Sequence, residues 1–228
     1  MESGNKSLSD YEQPSVTVDI VVFTIQEKKL KVLLVKRDVS PFKGKWAIPG
    51  GFTKMDESLE QAATRELEEE TGVKDVYLEQ LYTFGKPKRD PRGRVITITY
   101  FALINSEKLH LEASTDVSDA QWFDVNNNHL PELAFDHKEI LNYALKRLKW
   151  KFEYTTAAFS LLPKKFTISQ LREIYEIIFN KKFDKRNFAK KILSLNILKE
   201  EGIKRDVSHR PPMLYSLKKD IGDIVEII

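Results

Sequence analysis

Apolar positions fall into short blocks along this chain, and each block predicts an element. Residues 16–25 are β-branched and read as a strand. Residues 30–36 read as a second, with Glu27-Lys28-Lys29 as the hairpin turn between them. The Gly- and Pro-rich stretch 41–51 reads as a loop. Residues 58–70 predict a helix, with Ser58 as N-cap, Gln61 completing a capping box and Gly72 as the stop. Leu59, Ala62, Ala63 and Leu67 form its expected buried stripe. Residues 76–84 and 95–103 are strand-like, separated by a turn rich in Pro, Gly and Arg, and 120–125 is another short strand. Residues 136–150 form an amphipathic helix with Ile140, Ala144, Leu145 and Leu148 on one side. Strands mixed with two helices suit a sheet sandwiched between helices, in the α+β class.

Beyond residue 150 the pattern changes. A short helix over 154–162 is stopped by Pro163. Thr167 is placed to cap a helix through 179, and Asp184 another through 195. Two extended stretches follow, 197–204 and 213–217, around a charged loop. Two helices followed by a two-stranded wing give the order of a winged helix-turn-helix. The expected organisation is a polar N-terminal segment over 1–14, a first domain over 15–150 and a second over 151–228.

Composition narrows the setting. The chain has 228 residues, 41% hydrophobic and 31% charged, enough apolar material for a true core. No apolar run approaches the ~20 residues that span a bilayer, and the polar N-terminus has no signal-peptide apolar region. There are no cysteines, which excludes disulfides and thiolate metal sites and suits a cytoplasmic protein. Charge is unevenly placed. Residues 1–150 carry 21 Lys and Arg against 24 Asp and Glu, a net of −3. Residues 151–228 carry 16 against 10, a net of +6. A basic C-terminal third on an acidic body suggests a polyanionic partner for that third.

The segment GFTKMDESLEQAATRELEEETGV places glycines, an arginine and acids at fixed spacing. Glu66, Glu69 and Glu70 stand at i, i+3 and i+4, so they share one helix face. Like charges at that spacing repel, and a divalent cation turns the repulsion into coordination. Magnesium, which prefers hard carboxylate oxygens and is commonly completed by ligand phosphates, is the candidate cation. Gly50 and Gly51 sit where backbone must approach closely, and Arg65 offers a planar fork to orient a carboxylate. The competing reading is a solvated acidic helix face, which explains neither the glycines nor Arg65.

This segment resembles the Nudix box at each of its fixed positions: Gly51, Glu57, Arg65, Glu66, Leu67, Glu69, Glu70, Gly72 and Val73. The resemblance implies a Nudix α/β/α sandwich with a mixed sheet, holding a diphosphate-like ligand. If the domain is active, it implies Arg65, Glu66, Glu69 and Glu70 as catalytic residues and the three glutamates as metal ligands. The turn carrying Arg89, Arg92 and Arg94 is similar to one near the ligand in the ADP-ribose pyrophosphatase branch. Leu133-Ala134-Phe135-Asp136-His137 is similar to a segment of the same branch. These add Arg89, Arg92, Arg94 and His137 to Gly50 and Gly51 as candidate effector contacts, with an exposed basic turn, a helix-capping Asp136 and a structural His137 as alternatives. Trp46 reads as a packing residue. Glu112, Asp116 and Asp119 offer carboxylates where active relatives place a base, without a clear match.

In the C-terminal part, residues 181–210 hold ten Lys or Arg. Lys185, Arg186 and Asn187 open the second helix, where a recognition helix meets base edges. Asn and Arg have the geometry to read adenine and guanine. Lys190 and Lys191 suit phosphates, and Arg205, His209 and Arg210 lie in the expected wing. Phe188, Ile192, Leu193 and Leu195 would pack the inner side. A small cap with merely solvated charges is the alternative. With FTISQL, DKRNF and RPPMLYSL following the box, the chain resembles the Nudix-related transcriptional regulators of bacteria. That resemblance implies a homodimer on operator DNA, no membrane, and a Nudix domain that senses ADP-ribose or, in one branch, arabinose. The runner-up is a magnesium-dependent pyrophosphatase of ADP-ribose or a related sugar nucleotide.

Overall fold

The computed structural model describes residues 7, 11–74, 76, 78–104, 117–126, 130–204, 211–219, 221 and 225–227. Its first strand shows why the opening apolar block is so continuous. In β1 (Ser15–Gln26), Val18, Ile20 and Val22 face one apolar cluster, while Val21 and Phe23 face another. A strand buried on both faces carries a near-continuous apolar run. Glu27 and Lys28 both take left-handed backbone, with φ of 52° and 59°, and reverse the chain into β2 (Lys29–Arg37). That is the two-residue turn whose twist matches a hairpin, one residue shorter than the expected turn.

The expected loop over 41–51 contains two short strands, β3 (Trp46–Ala47) on β2 and β4 (Gly50–Phe52) on β1. Sheet edges capture this backbone although its composition reads as turn. Helix α1 (Leu59–Thr71) then lies on the sheet through Ala62, Ala63 and Leu67. Ser58 and Gln61 form the capping box, and Gly72 ends the helix in left-handed backbone. Strand β5 (Glu79–Phe84) starts three residues later than expected, and β6 (Val95–Leu103) keeps its expected bounds. β6 is parallel to β1, and the other sheet pairings are antiparallel. Strand β7 (Val117–Asp124) closes the sheet on the far side of β2. Helix α2 (His137–Tyr154) covers the face opposite α1.

Helix α2 runs four residues past Trp150, and its last turn belongs to the next unit. Phe152 is fully buried there, and its carbonyl accepts the Tyr175 hydroxyl at 3.0 Å. A 3-10 turn (Thr156–Leu161) leads to α3 (Ile168–Phe179), capped by Thr167, and α4 (Lys185–Ser194), capped by Asp184. Leu171, Ile174, Tyr175 and Ile178 of α3 pack with Phe188 and Ile192 of α4. The wing is β8 (Leu198–Ile203) against β9 (Met213–Leu217), and Phe166 adds a bridge to Tyr215. Apolar contact is continuous from the sheet through α2 to α3 and α4. Near the C-terminus, Val225 and Ile227 donate backbone N–H groups to the carbonyls of Tyr154 and Glu153. Among the described residues, no helix is long and apolar enough to cross a membrane.

Candidate functional site

A cleft of about 470 Å³ opens where β1, β4, α1 and the segment before α2 meet. Its floor is made by two glycines, of which Gly50 is pressed against backbone and Gly51 against a side chain. A Cβ on Gly50 would lie 2.1 Å from the Val18 carbonyl oxygen, and one on Gly51 would lie 2.6 Å from the Glu66 carboxyl. Backbone of the loop therefore reaches the box helix directly, and the Gly50 N–H donates to Glu70 Oε2 at 2.8 Å.

The box arginine is a hub. Arg65 binds Glu57 with two N–H groups at 2.9 and 2.6 Å, Glu66 at 2.7 Å, Glu69 at 3.1 Å and the Phe52 carbonyl at 3.2 Å. Its hydrogen bonds hold the Glu57 carboxyl down at about 2. Burial pushes the Glu66 carboxyl upward. Glu70 is pushed up to about 8, first by burial and then by the charges of Glu66 and Asp19, against the Gly50 N–H.

The three glutamates expected to converge are divided. Glu66 and Glu70 line the cleft, whereas Glu69 is half-exposed, bonded to Arg65 and placed on the outer groove of α1. No group of three acidic or histidine side chains among the described residues is arranged to hold a metal ion. Sharing a helix face puts Glu69 near its neighbours, but the Arg65 fork competes for its carboxylate. Of the three box glutamates, two therefore face the cleft, which Asp19 and Asp90 also line.

The arginine turn resolves into three different roles. Arg89, expected as a ligand contact, is buried, with its side chain 4% exposed. It binds Asp136 through two bonds at 2.9 and 2.7 Å and approaches Asp19 at 3.5 Å, at the edge of the cleft. Asp136 sits at the N-cap position of α2 without capping through its side chain, because its carboxylate is committed to Arg89. Arg92 lines the cleft, pairs with Asp90 at 2.7 Å and lies over the Phe52 ring at 5.1 Å. Arg94 is exposed and bonds the Gly85 carbonyl at 2.5 Å, outside the cleft lining.

His137 is buried, and its Nδ1 accepts the Ile48 N–H at 2.9 Å. Accepting there places the ring proton on Nε2, 3.7 Å from Asp19 Oδ1. Burial depresses its pKa, so the ring is a neutral strut. Asp19 ties these parts together, accepting Thr97 Oγ1 at 2.7 Å beneath the cleft. Sequence reasoning passed over Asp19, although a lone acid inside an apolar strand was a usable signal. It also passed over Arg37, Phe52 and Phe135, which line the cleft from separate segments. Asp119 pairs opposite Lys36 on β7 away from the cleft, and Trp46 packs on Phe123 at 4.7 Å. Glu112 and Asp116 lie outside the described residues.

On the second unit, α4 turns Phe188 and Ile192 inward and leaves Lys185, Arg186, Asn187, Lys190 and Lys191 exposed. Asp184 accepts the N–H groups of Arg186 and Asn187, which fixes the start of that helix. Leu193, expected to pack inward, is 46% exposed, because it falls past the buried stripe set by Phe188 and Ile192. Arg205, His209 and Arg210 of the expected wing tip lie outside the described residues.

The comparisons agree with this two-part architecture. Residues 14–144 match the NUDIX domain model, and residues 158–217 match the NrtR DNA-binding winged helix domain. The chain is 37% identical over 209 residues to the ADPR responsive transcriptional repressor NtrR of Acinetobacter baylyi, covering 91% of this chain and 83% of that one. It superposes with a TM-score of 0.76 on Shewanella oneidensis NrtR complexed with a 27mer DNA, at 36% identity over 92% of this chain and 99% of that one. The Nudix domain of the same Shewanella protein complexed with ADP ribose matches at 40% identity and a TM-score of 0.58, over 63% of this chain and 94% of that one. Cleft, winged helix and whole-length similarity place the chain in the Nudix family, in the branch that carries an NrtR DNA-binding winged helix domain.

Proposed function

We propose that this chain is a transcriptional regulator whose Nudix cleft senses ADP-ribose and whose winged helix binds operator DNA. The observation that carries this reading is one chain holding both a cleft of buried charges and an exposed basic recognition helix, similar over nearly its whole length to a repressor named as responsive to that ligand. Guanidinium groups along the cleft favour a phosphate-bearing ligand over a neutral sugar such as arabinose. Arg186 and Asn187 are the side chains proposed to read base edges, with Lys185, Lys190 and Lys191 on phosphates.

Nudix domains generally use a divalent metal. Of the box glutamates, Glu66 and Glu70 face the cleft and would hold magnesium, with ligand oxygens and water completing its coordination. Similarity over nearly the whole chain to a repressor makes sensing rather than turnover the proposed role. A homodimer matching two operator half-sites one helical turn apart completes the reading, and effector binding would alter the spacing of the two α4 helices.

The test is fluorescence anisotropy of the full chain on DNA upstream of its own and neighbouring genes, with and without ADP-ribose. Tight binding that ADP-ribose changes by tenfold or more supports the reading. Binding to no such DNA, or DNA binding indifferent to ADP-ribose, overturns it. Sedimentation of the same sample reads the oligomeric state, and release of AMP with magnesium at an ordinary enzymatic rate would favour the pyrophosphatase instead.

A further inference from the structure

The turn that presents α4 is held by two side chains of α3. Arg172 and Glu176 stand four residues apart on that helix and pair at 3.0 Å. Glu176 Oε1 also accepts the Phe183 N–H at 3.1 Å, and Arg172 Nη1 also donates to the Phe183 carbonyl at 3.1 Å. The pair therefore grips both polar groups of one residue's backbone, as a neighbouring strand would. Phe183 immediately precedes Asp184, whose carboxylate caps α4 through the N–H groups of Arg186 and Asn187.

An ion pair that served only to stabilise α3 would look different. Arg before Glu is the less favourable order along a helix. The Glu176 side chain is 9% exposed, so the pair carries a desolvation cost. Among the described residues, Arg172 Nε is buried with no hydrogen-bond partner, which adds to that cost. Lys182 Nζ makes a further contact to Glu176 at 2.9 Å. Lys182, then the Phe183 N–H and the Arg172 charge, hold the Glu176 carboxyl below its ordinary value against burial. Asn180 ends α3 in left-handed backbone, with φ of 48°, and starts the turn that this pair receives.

Apolar packing alone would hold the Phe183 ring without fixing the direction of its peptide groups. The ring lies 6.5 Å from Tyr175, 6.2 Å from Phe179 and 5.8 Å from Phe188, contacts that are non-directional. The two hydrogen bonds to the Phe183 backbone supply the direction. They set where Asp184 points and so where the first turn of α4 lies, with Lys185, Arg186 and Asn187 exposed on it. Hydrogen bonds to base edges weaken steeply with angle, so a small rotation of that turn would lose them. Long lysine side chains would still reach phosphates.

We propose that Arg172 and Glu176 are positioning residues for sequence reading, setting the direction of the α4 start through the Phe183 backbone so that Arg186 and Asn187 meet base edges. This rests on the reading of α4 as the recognition helix. Both residues line the groove that α3 forms with the β1–β2 turn, where Lys28 meets Glu173 at 2.9 Å, so they act through α4 and not on the bases. The clamp governs preference for sequence rather than attraction to DNA as such, since Lys185, Lys190 and Lys191 meet phosphates whatever the bases are.

The experiment measures binding of the full chain to two duplexes, DNA from upstream of its own and neighbouring genes and a scrambled duplex of equal length, with a melting curve for each variant. Arg172→Met should reduce the preference for the upstream duplex by about tenfold, the contribution of one well-placed base contact, and leave affinity for the scrambled duplex unchanged. Glu176→Gln keeps an acceptor for the Phe183 N–H but not the charge. Its preference should fall by only about threefold, since neutral hydrogen bonds are roughly half as strong as charge-assisted ones. Glu176→Gln carries the same test if Arg172→Met does not fold. A merely structural pair would instead lower the melting temperature and leave the preference of the folded fraction unchanged. Undiminished preference in the folded variants overturns the clamp and leaves the regulator reading standing. A preference that falls in the variants but is indifferent to ADP-ribose sinks the sensing reading and keeps the clamp. A wild type that prefers no upstream duplex over the scrambled one ends both.

Discussion

The cleft and the α4 face are both rich in charge, yet they handle it in opposite ways. Around the cleft, Arg89 is 4% exposed, His137 is buried, Glu70 is half-buried, and Asp19 joins β1 to the turn and to α2. Desolvated charges like these must be paired or neutralised, so each is locked into one geometry. On α4, Lys185, Arg186, Asn187, Lys190 and Lys191 are exposed, and the helix is fixed from below by Phe188, Ile192 and the Asp184 cap. A small ligand is recognised by charges already in place, whereas DNA is met by side chains free to settle on a long, uniform polyanion. The contrast also says where a substitution should damage folding and where it should damage only binding.

Breaking the locked side should produce the largest effect. Arg89→Met leaves the Asp19 and Asp136 carboxylates without the cation they share. Loss of one partner of a buried pair costs about 3–5 kcal/mol, which should appear as a marked drop in the unfolding midpoint in urea. A variant as stable as the wild type would show that the cluster is not under electrostatic tension.

Next in size is Gly50→Ala, whose Cβ must displace the Val18 carbonyl. Overpacking of this kind costs about 1–3 kcal/mol, and ADP-ribose affinity should fall with it. The α4 side sharpens the comparison at similar magnitude but in a different assay. Arg186→Ala or Asn187→Ala should lose about 1–3 kcal/mol of operator affinity with an unchanged melting curve. Lys190→Ala should weaken all DNA alike and reduce the slope of log affinity against log salt by about one. A fall in stability with any of these would mean that α4 is not the free face it is taken to be.

The smallest effect is one of pH. His137 faces Asp19 from β1, Asp136 beside it, Arg89 from the turn and Arg37 from β2, and burial dominates its lowered pKa. The unfolded chain takes up a proton near pH 6.5 that the folded chain refuses. His137 therefore contributes stability that is present above that pH and is lost as pH falls below it, by up to about 1.4 kcal/mol per unit. Glu70, raised from 4.5 to about 8, gives the opposite slope between those values. Comparing wild type with His137→Gln cancels that term, so the difference between their acid unfolding curves isolates the histidine. Parallel curves below pH 6.5 would remove the strut from the account.

Much of the fold was legible because its signals are local. Ser58 with Gln61, Thr167 with Gln170 and Asp184 before α4 each satisfy backbone N–H groups within three residues, so their caps could be read from spacing. The β-branched run of β1 marked a strand, and Gly50 and Gly51 marked a close approach of backbone, which the structure places at Val18 and Glu66. Arg65 and the box glutamates were legible as a group, but the division of Glu69 from Glu66 and Glu70 was not. Helical spacing sets which side chains are neighbours, while the loop that brings Gly50 to Glu70 and Gly51 to Glu66 decides which of them face the cleft.

By itself, the order of residues determined the caps, the longer strands, the box and the basic α4 edge, since these depend on neighbours a few positions apart. Only the folded chain decided that Arg89 is a buried tie while Arg92 faces the cleft, and that Arg37, Phe42 and Phe135 meet across more than ninety positions of sequence. The reason is that burial and left-handed backbone are imposed by distant packing, and desolvation then turns similar side chains in one short turn to different work.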